Sequence, residues 1–189
     1  VTSDCAVPVE PTLHPALANR FSPTEFDPRA TMSDAEVDVL LEAARRAPSA
    51  GSSQPWSFII GRRGDAIHDR IRTHLARSSS RWAAPASLLV VNLAQIGLAA
   101  EPEWAYSEFA HYDLGQAVAH MTIQGLAMGL ASHQFRAFDR DGLTREFDVP
   151  AHWEVTTMTA FGLAVGPATE APGSTRARAS RAEITWPRG

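Results

Sequence analysis

The spacing of apolar residues changes repeatedly along this chain, from the three-to-four interval of a helix face to the unbroken or alternating runs of a strand. Ser33 and Glu36 form an S-x-x-E capping box. Val37, Leu40, Leu41 and Ala44 follow at helical spacing, and Pro48 stops the predicted helix. Residues 56–60 read as a strand, 61–64 as a turn and 65–76 as a helix, while the serine run at 78–80 reads as a loop. Residues 86–93 form an apolar run suited to a strand buried on both faces. Residues 95–112 read as irregular and bring Trp104, Tyr106, Phe109 and Tyr112 into close succession. Those rings either pack on the core or line a ligand pocket.

The longest predicted helix covers 113–132, apolar at Leu114, Ala117, Val118, Met121, Gly125 and Met128. Each glycine in it costs about 1 kcal/mol of helix propensity against alanine, so close approach of another helix is the expected compensation. Residues 142–147 read as a short helix, 154–165 as a third strand, 167–174 as a turn-rich linker and 176–186 as an arginine-dense extended tail. At the other end, 1–13 reads as a mobile tail and 14–18 as a short helix leading to a turn at Phe26-Asp27-Pro28. This alternation predicts helices layered on a sheet, and excludes a helical bundle or an all-β sandwich.

Composition narrows the chemistry. The 189 residues are 44% hydrophobic and 20% charged, which suits one globular domain able to bury a core without staples. A net charge of -4 argues against nucleic-acid and membrane-surface partners. Cys5 is the single cysteine, so neither an intrachain disulfide nor a cysteine metal site can form, as suits a reducing cytoplasm. The first 15 residues carry three prolines and no long apolar run, unlike a signal peptide, and the apolar stretch at 88–100 is too short to span a bilayer. All 17 basic residues are arginine, which excludes Schiff-base chemistry and a P-loop. Any phosphate must be held by arginine forks, hydroxyls or backbone. The seven histidines lack metal-ligand spacing. Neither G-x-S-x-G nor G-x-G-x-x-G occurs, so a nicotinamide cofactor would be a visiting substrate.

Residues 46–60 carry the most specific signal. Between the capped helix and the apolar strand lies a loop of small residues with no charge, followed by Gln54 and Trp56. Such a loop lets backbone N–H groups and hydroxyls approach a flat partner; it also reads as a plain connection beside a core strand. Its run Ala47-Pro48-Ser49-Ala50-Gly51-Ser52-Ser53-Gln54-Pro55-Trp56 is similar to A-P-S-x-x-N-x-Q-P-W. Arg20-Phe21-Ser22-Pro23 is similar to an N-terminal R-x-S segment, and Arg176-Ala177-Arg178 to a basic-x-basic pair before a closing segment, here Glu183-Ile184. Residues 133–139 and Arg81 match more weakly. On these matches the chain resembles the FMN-dependent nitroreductase family from about Asn19 onward.

The resemblance implies an α+β, three-layer fold. Its central sheet would be mixed but mainly antiparallel, flanked by helices, within a single domain at 14–189 completed by homodimerisation. It also implies FMN held non-covalently at the subunit interface. NAD(P)H would donate hydride to flavin N5, and an electron-poor acceptor such as a nitroaromatic or quinone would be reduced in a ping-pong cycle. No catalytic side chain is required, because the flavin carries the chemistry. Arg20, Arg176 and Arg178 would clamp the phosphate with help from Ser22; without the resemblance, the tail arginines read first as a solvated basic terminus. Pro48, Ser49, Ala50 and Ser52 would face the ribityl chain and ring edge. Arg81 would sit near the pyrimidine; it reads also as a surface arginine. Phe135, Arg136 and Ala137 would approach N5, the last two through backbone N–H groups. Trp104, Tyr106, Phe109 and Tyr112 would shape the acceptor pocket.

Four positions depart from the family pattern. Thr24 stands where a further basic residue is frequent, Ser52 replaces asparagine, Ala137 replaces glycine, and Arg136 replaces a small or acidic residue. Three other functions remain open on sequence: an oxidase or dehydrogenase of a specialised metabolite, a flavin-storage module, and a member that has lost its cofactor.

Overall fold

Three antiparallel ladders build the sheet around a central strand pair. β1 (Trp56–Arg62) pairs with β2 (Leu88–Gln95), β2 with β4 (Trp153–Gly162), and β4 with β3 (Ala131–Phe135), giving the order β1-β2-β4-β3. Residues 12–102, 104–166 and 178–186 are described by the structure, a computed structural model. Among them every strand pairing is antiparallel.

The pleat of β2 explains the three layers. Leu88 and Val90 face one side and pack with Leu40 and Ala44 of α2 (Asp34–Arg45) and Ala117 and Met121 of α5 (Ala110–Ala127). Leu89, Val91 and Leu93 face the other side. They pack with Ile71 of α3 (Ala66–Thr73), Ala83 of α4 (Arg77–Ala83) and Leu143 of α6 (Arg140–Glu146). Both faces are covered, which is why β2 reads as a continuous apolar run. α1 (Pro15–Ala18) and α7 (Arg181–Ile184) are single turns near the ends of the described chain.

Several boundaries differ from the sequence reading. The expected helix at 113–132 is a shorter helix followed by an edge strand. Gly129 adopts φ +81° and the Leu130 N–H reaches back 2.8 Å to the Gly125 carbonyl, a left-handed C-terminal closure that ends α5 before β3 begins. The same helix starts earlier, so Tyr112 lies on α5 rather than in an irregular stretch. The compensation for Gly125 comes chiefly from a strand: a Cβ there would stand 3.1 Å from Cε1 of Phe161 on β4 and 3.6 Å from Leu40 on α2. The serine run belongs to α4, because buried Ser79 donates its hydroxyl to the Ala76 and Ala137 carbonyls. Residues 181–184 of the expected extended tail form a helical turn with its own capping box, Ser180 and Glu183.

Candidate functional site

Three recesses gather half of the site residues singled out from sequence. The first lies where the chain leaves α1. Arg20 and Ser22, joined by a long Nη1 to Oγ contact of 3.4 Å, line a cavity of about 410 Å³ with Ala119, Thr122 and Ile123 of α5 and Ser132 and Gln134 of β3. Gln134 is steadied by a 3.2 Å bond from its amide nitrogen to the Thr122 hydroxyl. Arg20 pairs with no carboxylate among the described residues, so its guanidinium is available to an anion.

The second recess lies across Pro23. The His133 Nδ1–H donates to the Pro23 carbonyl at 2.7 Å, and its ring stacks on Trp82 at 4.2 Å and 21°. The carbonyl acceptor fixes which ring nitrogen carries the proton. Burial pushes the His133 pKa below its ordinary value and the Pro23 bond opposes that shift. On the far side of this pin, Thr24, Glu25, Arg77, Ser78, Arg81 and Trp82 line a cavity of about 570 Å³. Arg81 therefore faces a different recess from Arg20, with Ser22-Pro23-Thr24 as the dividing segment.

The third recess, of about 240 Å³, brings the charge-free loop to the start of α5. Pro48, Ser49 and Ala50 meet Phe109, Tyr112, Asp113 and Gln116. The loop turns through three left-handed residues, Gly51 (φ 58°), Ser52 (φ 55°) and Gln54 (φ 51°). Outside glycine such backbone is unfavourable by about 1–3 kcal/mol per residue, so surrounding contacts must hold it. Four do so. The Ser49 hydroxyl accepts from the Gln54 N–H at 3.0 Å, and the Ser49 carbonyl from the Ser52 N–H at 3.0 Å. The Asp113 carboxylate accepts from the Ala50 N–H at 3.0 Å, and the Tyr106 hydroxyl donates to the Ser53 carbonyl at 3.0 Å.

Other expected residues fall outside these recesses. Tyr106 braces the loop from behind, and Trp104 is 64% exposed. Phe135 packs edge-on to Trp82 and Phe138 as part of the core on that side. Arg136 is exposed, with its guanidinium 5.6 Å from the Phe138 ring centre. The Ala137 carbonyl accepts from the Ala76 N–H at 3.1 Å, which orients this turn against α4. Arg178 is exposed, and Arg176 lies outside the described residues.

Asp113 was not singled out from sequence. Its signal is that it falls on the apolar face of α5, one turn before Ala117 and two before Met121. Among the described residues there is no group of three or more His, Cys, Asp or Glu side chains able to hold a metal ion. No helix among them is long and apolar enough to cross a membrane.

Fold and recesses together define a three-layer α+β protein whose cavities present guanidinium groups and hydroxyls. Residues 17–163 match the model of the Nitroreductase family, and the chain belongs to that family. The Major NAD(P)H-flavin oxidoreductase of Aliivibrio fischeri is 42% identical over 50 residues, 26% of this chain and 22% of that protein. A putative NAD(P)H nitroreductase of Staphylococcus aureus (strain USA300) is 29% identical over 63 residues, 33% of this chain and 28% of that protein. The chain thus matches about a quarter of the length of these curated relatives. Among solved structures, an oxidoreductase containing FMN aligns with a TM-score of 0.76 and 24% identity, over 88% of this chain and 84% of the other. A nitroreductase family protein from Clostridium difficile 630 aligns with a TM-score of 0.71 and 20% identity, over 90% and 94%. These likenesses bear out the α+β three-layer fold and the family expected from sequence.

Proposed function

We propose that the protein is an FMN-dependent NAD(P)H oxidoreductase that reduces an electron-poor acceptor, such as a nitroaromatic or quinone. The observation that carries this reading is Arg20: a guanidinium with no carboxylate partner among the described residues, sharing a recess with a serine hydroxyl. That donor set fits a phosphate monoester dianion, which a guanidinium fork and a hydroxyl can hold by charge-assisted bonds. Arg176 and Arg178 would add to the same clamp. Bound FMN would supply the two-electron chemistry, taking hydride from NAD(P)H and passing it to the acceptor.

The remaining work falls to this chain's own groups. The loop at 48–52 would present a close, uncharged backbone to the ribityl chain and ring edge. Arg81, in the neighbouring recess across Ser22-Pro23-Thr24, would hold positive charge near the pyrimidine where the ring extends over that segment, and the 135–137 turn would offer N–H groups toward N5. Phe109 and Tyr112 would stack an aromatic acceptor beside the loop, with Trp104 at the rim. A single cysteine and a need for NAD(P)H suit the cytoplasm.

A homodimer would complete the site. The loop recess and the Arg20 recess lie toward opposite ends of one α5 stripe, Tyr112 and Gln116 at one end and Ala119 and Ile123 at the other. A two-fold axis crossing α5 would set the first recess of one protomer against the loop of its partner.

An absorption spectrum of the purified protein tests the cofactor, with flavin bands expected. Protein that stays colourless after FMN is added would overturn the reading. Stopped-flow mixing with NADH and NADPH tests the reductase step, and failure of both to bleach the flavin would point to an oxidase or a storage role. Arg20→Ala is expected to weaken FMN binding by about 1.5–3 kcal/mol, the scale of a charge-assisted bond, in a fluorescence titration.

A further inference from the structure

The Asp113 carboxylate is 2% exposed and makes no ion pair with an arginine or histidine among the described residues. Burying a carboxylate without a cation is unfavourable, so its hydrogen bonds must carry the compensation. One is the Ala50 N–H at 3.0 Å; the other is a long contact of 3.4 Å from the Gln116 side-chain amide. The first crosses from α5 to the loop, two elements 63 positions apart in sequence.

That bond governs a peptide plane. With the Ala50 N–H committed to Asp113, the Ser49 carbonyl, on the opposite side of the same plane, meets the Ser52 N–H. The Ser49 hydroxyl is committed to the Gln54 N–H. The polar groups of residues 49 and 50 that these bonds use are thus turned into the loop and α5. Ala50, Gly51 and Ser52 are exposed along the crest, and a Cβ on Gly51 would meet nothing within 4 Å. The crest is open to a flat ligand.

We infer that Asp113 is a positioning residue, which sets the 49–52 peptides in the orientation that receives the flavin edge. Tyr106 is its counterpart on the far side of the turn. This rests on the FMN reading above. Asp113 touches the loop and not the cofactor, so its effect passes through Ala50. Because α5 carries both Asp113 and the exposed stripe, loop geometry is tied to the same helix as the proposed subunit contact.

Asp113→Leu removes the acceptor and the buried carboxylate while keeping the same number of side-chain heavy atoms, and Asp113→Asn keeps an acceptor oxygen. The leucine variant is expected to keep or raise the thermal midpoint while its FMN dissociation constant rises about tenfold. The asparagine variant is expected to stay within about threefold of wild type. A merely structural role would move the midpoint and leave FMN affinity alone. Hydrogen exchange on flavin-free protein supplies a readout independent of the cofactor. Amides of residues 50–54 in the leucine variant are expected to exchange at least tenfold faster, with those of 114–126 unchanged.

Unchanged loop exchange overturns the inference whether or not FMN binds. An FMN dissociation constant within twofold of wild type does the same. Faster loop exchange in a protein that binds no FMN would support Asp113 as the loop's anchor and overturn the cofactor reading instead. Should the leucine variant not fold, Asp113→Ala removes the same acceptor without added bulk. A severalfold rise in loop exchange is then expected, and no change would overturn the inference.

Discussion

At Ser52 a side chain occupies backbone space that glycine and asparagine tolerate better. Its φ of 55° lies in the left-handed region, within a loop whose neighbours Gly51 and Gln54 are also left-handed. In the sequence, serine at this position reads only as a replacement of the family's asparagine, because φ is invisible there. With the backbone in view, the asparagine of the family pattern serves the conformation as well. Ser52→Gly is expected to stabilise the protein by about 0.5–1 kcal/mol, the relief of left-handed strain less the entropy glycine adds to the unfolded chain. Ser52→Asn should move the same way by less. Urea denaturation at constant m-value checks both, and a fall in midpoint for glycine would mean that the Ser52 side chain holds the loop in some other way. Arg20, Ser22 and Ser49 could be singled out from sequence because the chemistry proposed for them is carried by residue type, although the Ser49 hydroxyl in the structure accepts from the Gln54 N–H. Asp113 could not, because its role depends on a single long-range bond to a backbone N–H, and nothing in a helix pattern announces where a carboxylate's acceptor oxygen will point.

α2, α3, α6, β1, β2 and β4 were legible because each combines a clear period with a stop signal. The capping box at Ser33 and Glu36 is made in full, its Ser33 N–H to Glu36 carboxylate bond 2.7 Å long. α4 and β3 were not legible, for opposite reasons. The three serines of α4 have weak helix propensity, and the tertiary bond from the Ser79 hydroxyl to the Ala137 carbonyl overrides it. β3 is five residues of mixed polarity whose identity depends on pairing with β4, remote in sequence. Gly125 shows how the two levels compete within one element. Alanine there would gain about 1 kcal/mol of helix propensity. Its Cβ would also press on the Phe161 ring at 3.1 and 3.3 Å, and Phe161 is fully buried with little room to retreat. Overpacking of this kind costs typically about 1–3 kcal/mol, so Gly125→Ala is expected to be destabilising by about 1 kcal/mol net. A raised denaturation midpoint would show that the ring yields and that propensity dominates.

For the molecule as a whole, acid should loosen the fold in two stages. His68 on α3 is 2% exposed, and its pKa is lowered chiefly by burial. Asp65 and Asp69 oppose that shift, while Arg63 and Arg72 add to it. His133 is lowered in the same way. Both imidazoles bind protons more readily in the unfolded chain, where the ordinary value is 6.5, than in the folded one. Their contribution is therefore complete above that pH and is lost as pH falls from it through the folded values. Glu36 and Glu146, held below 4.5 by their hydrogen-bond partners, lose theirs only at lower pH. Thermal midpoints should start to fall between pH 6.5 and 5, and His68→Leu should flatten that first stage; a variant profile parallel to wild type would remove His68 from the account.

Assembly belongs to the same scale, because the two recesses that share α5 cannot serve one cofactor within a single chain unless they face each other. Gly115 lies on the exposed side of α5 between them, lines neither recess, and has open space where a Cβ would go. Gly115→Glu should leave the isolated fold intact, since glutamate is the better helix former, yet set two carboxylates against each other across a two-fold axis. Sedimentation equilibrium is expected to show a wild-type dimer and a variant shifted to monomer, with FMN affinity falling in step as the protein is diluted. A monomeric variant that holds FMN as tightly as wild type would mean that one chain alone binds the flavin, and the recess of Arg20 would then need a partner other than a second copy's loop.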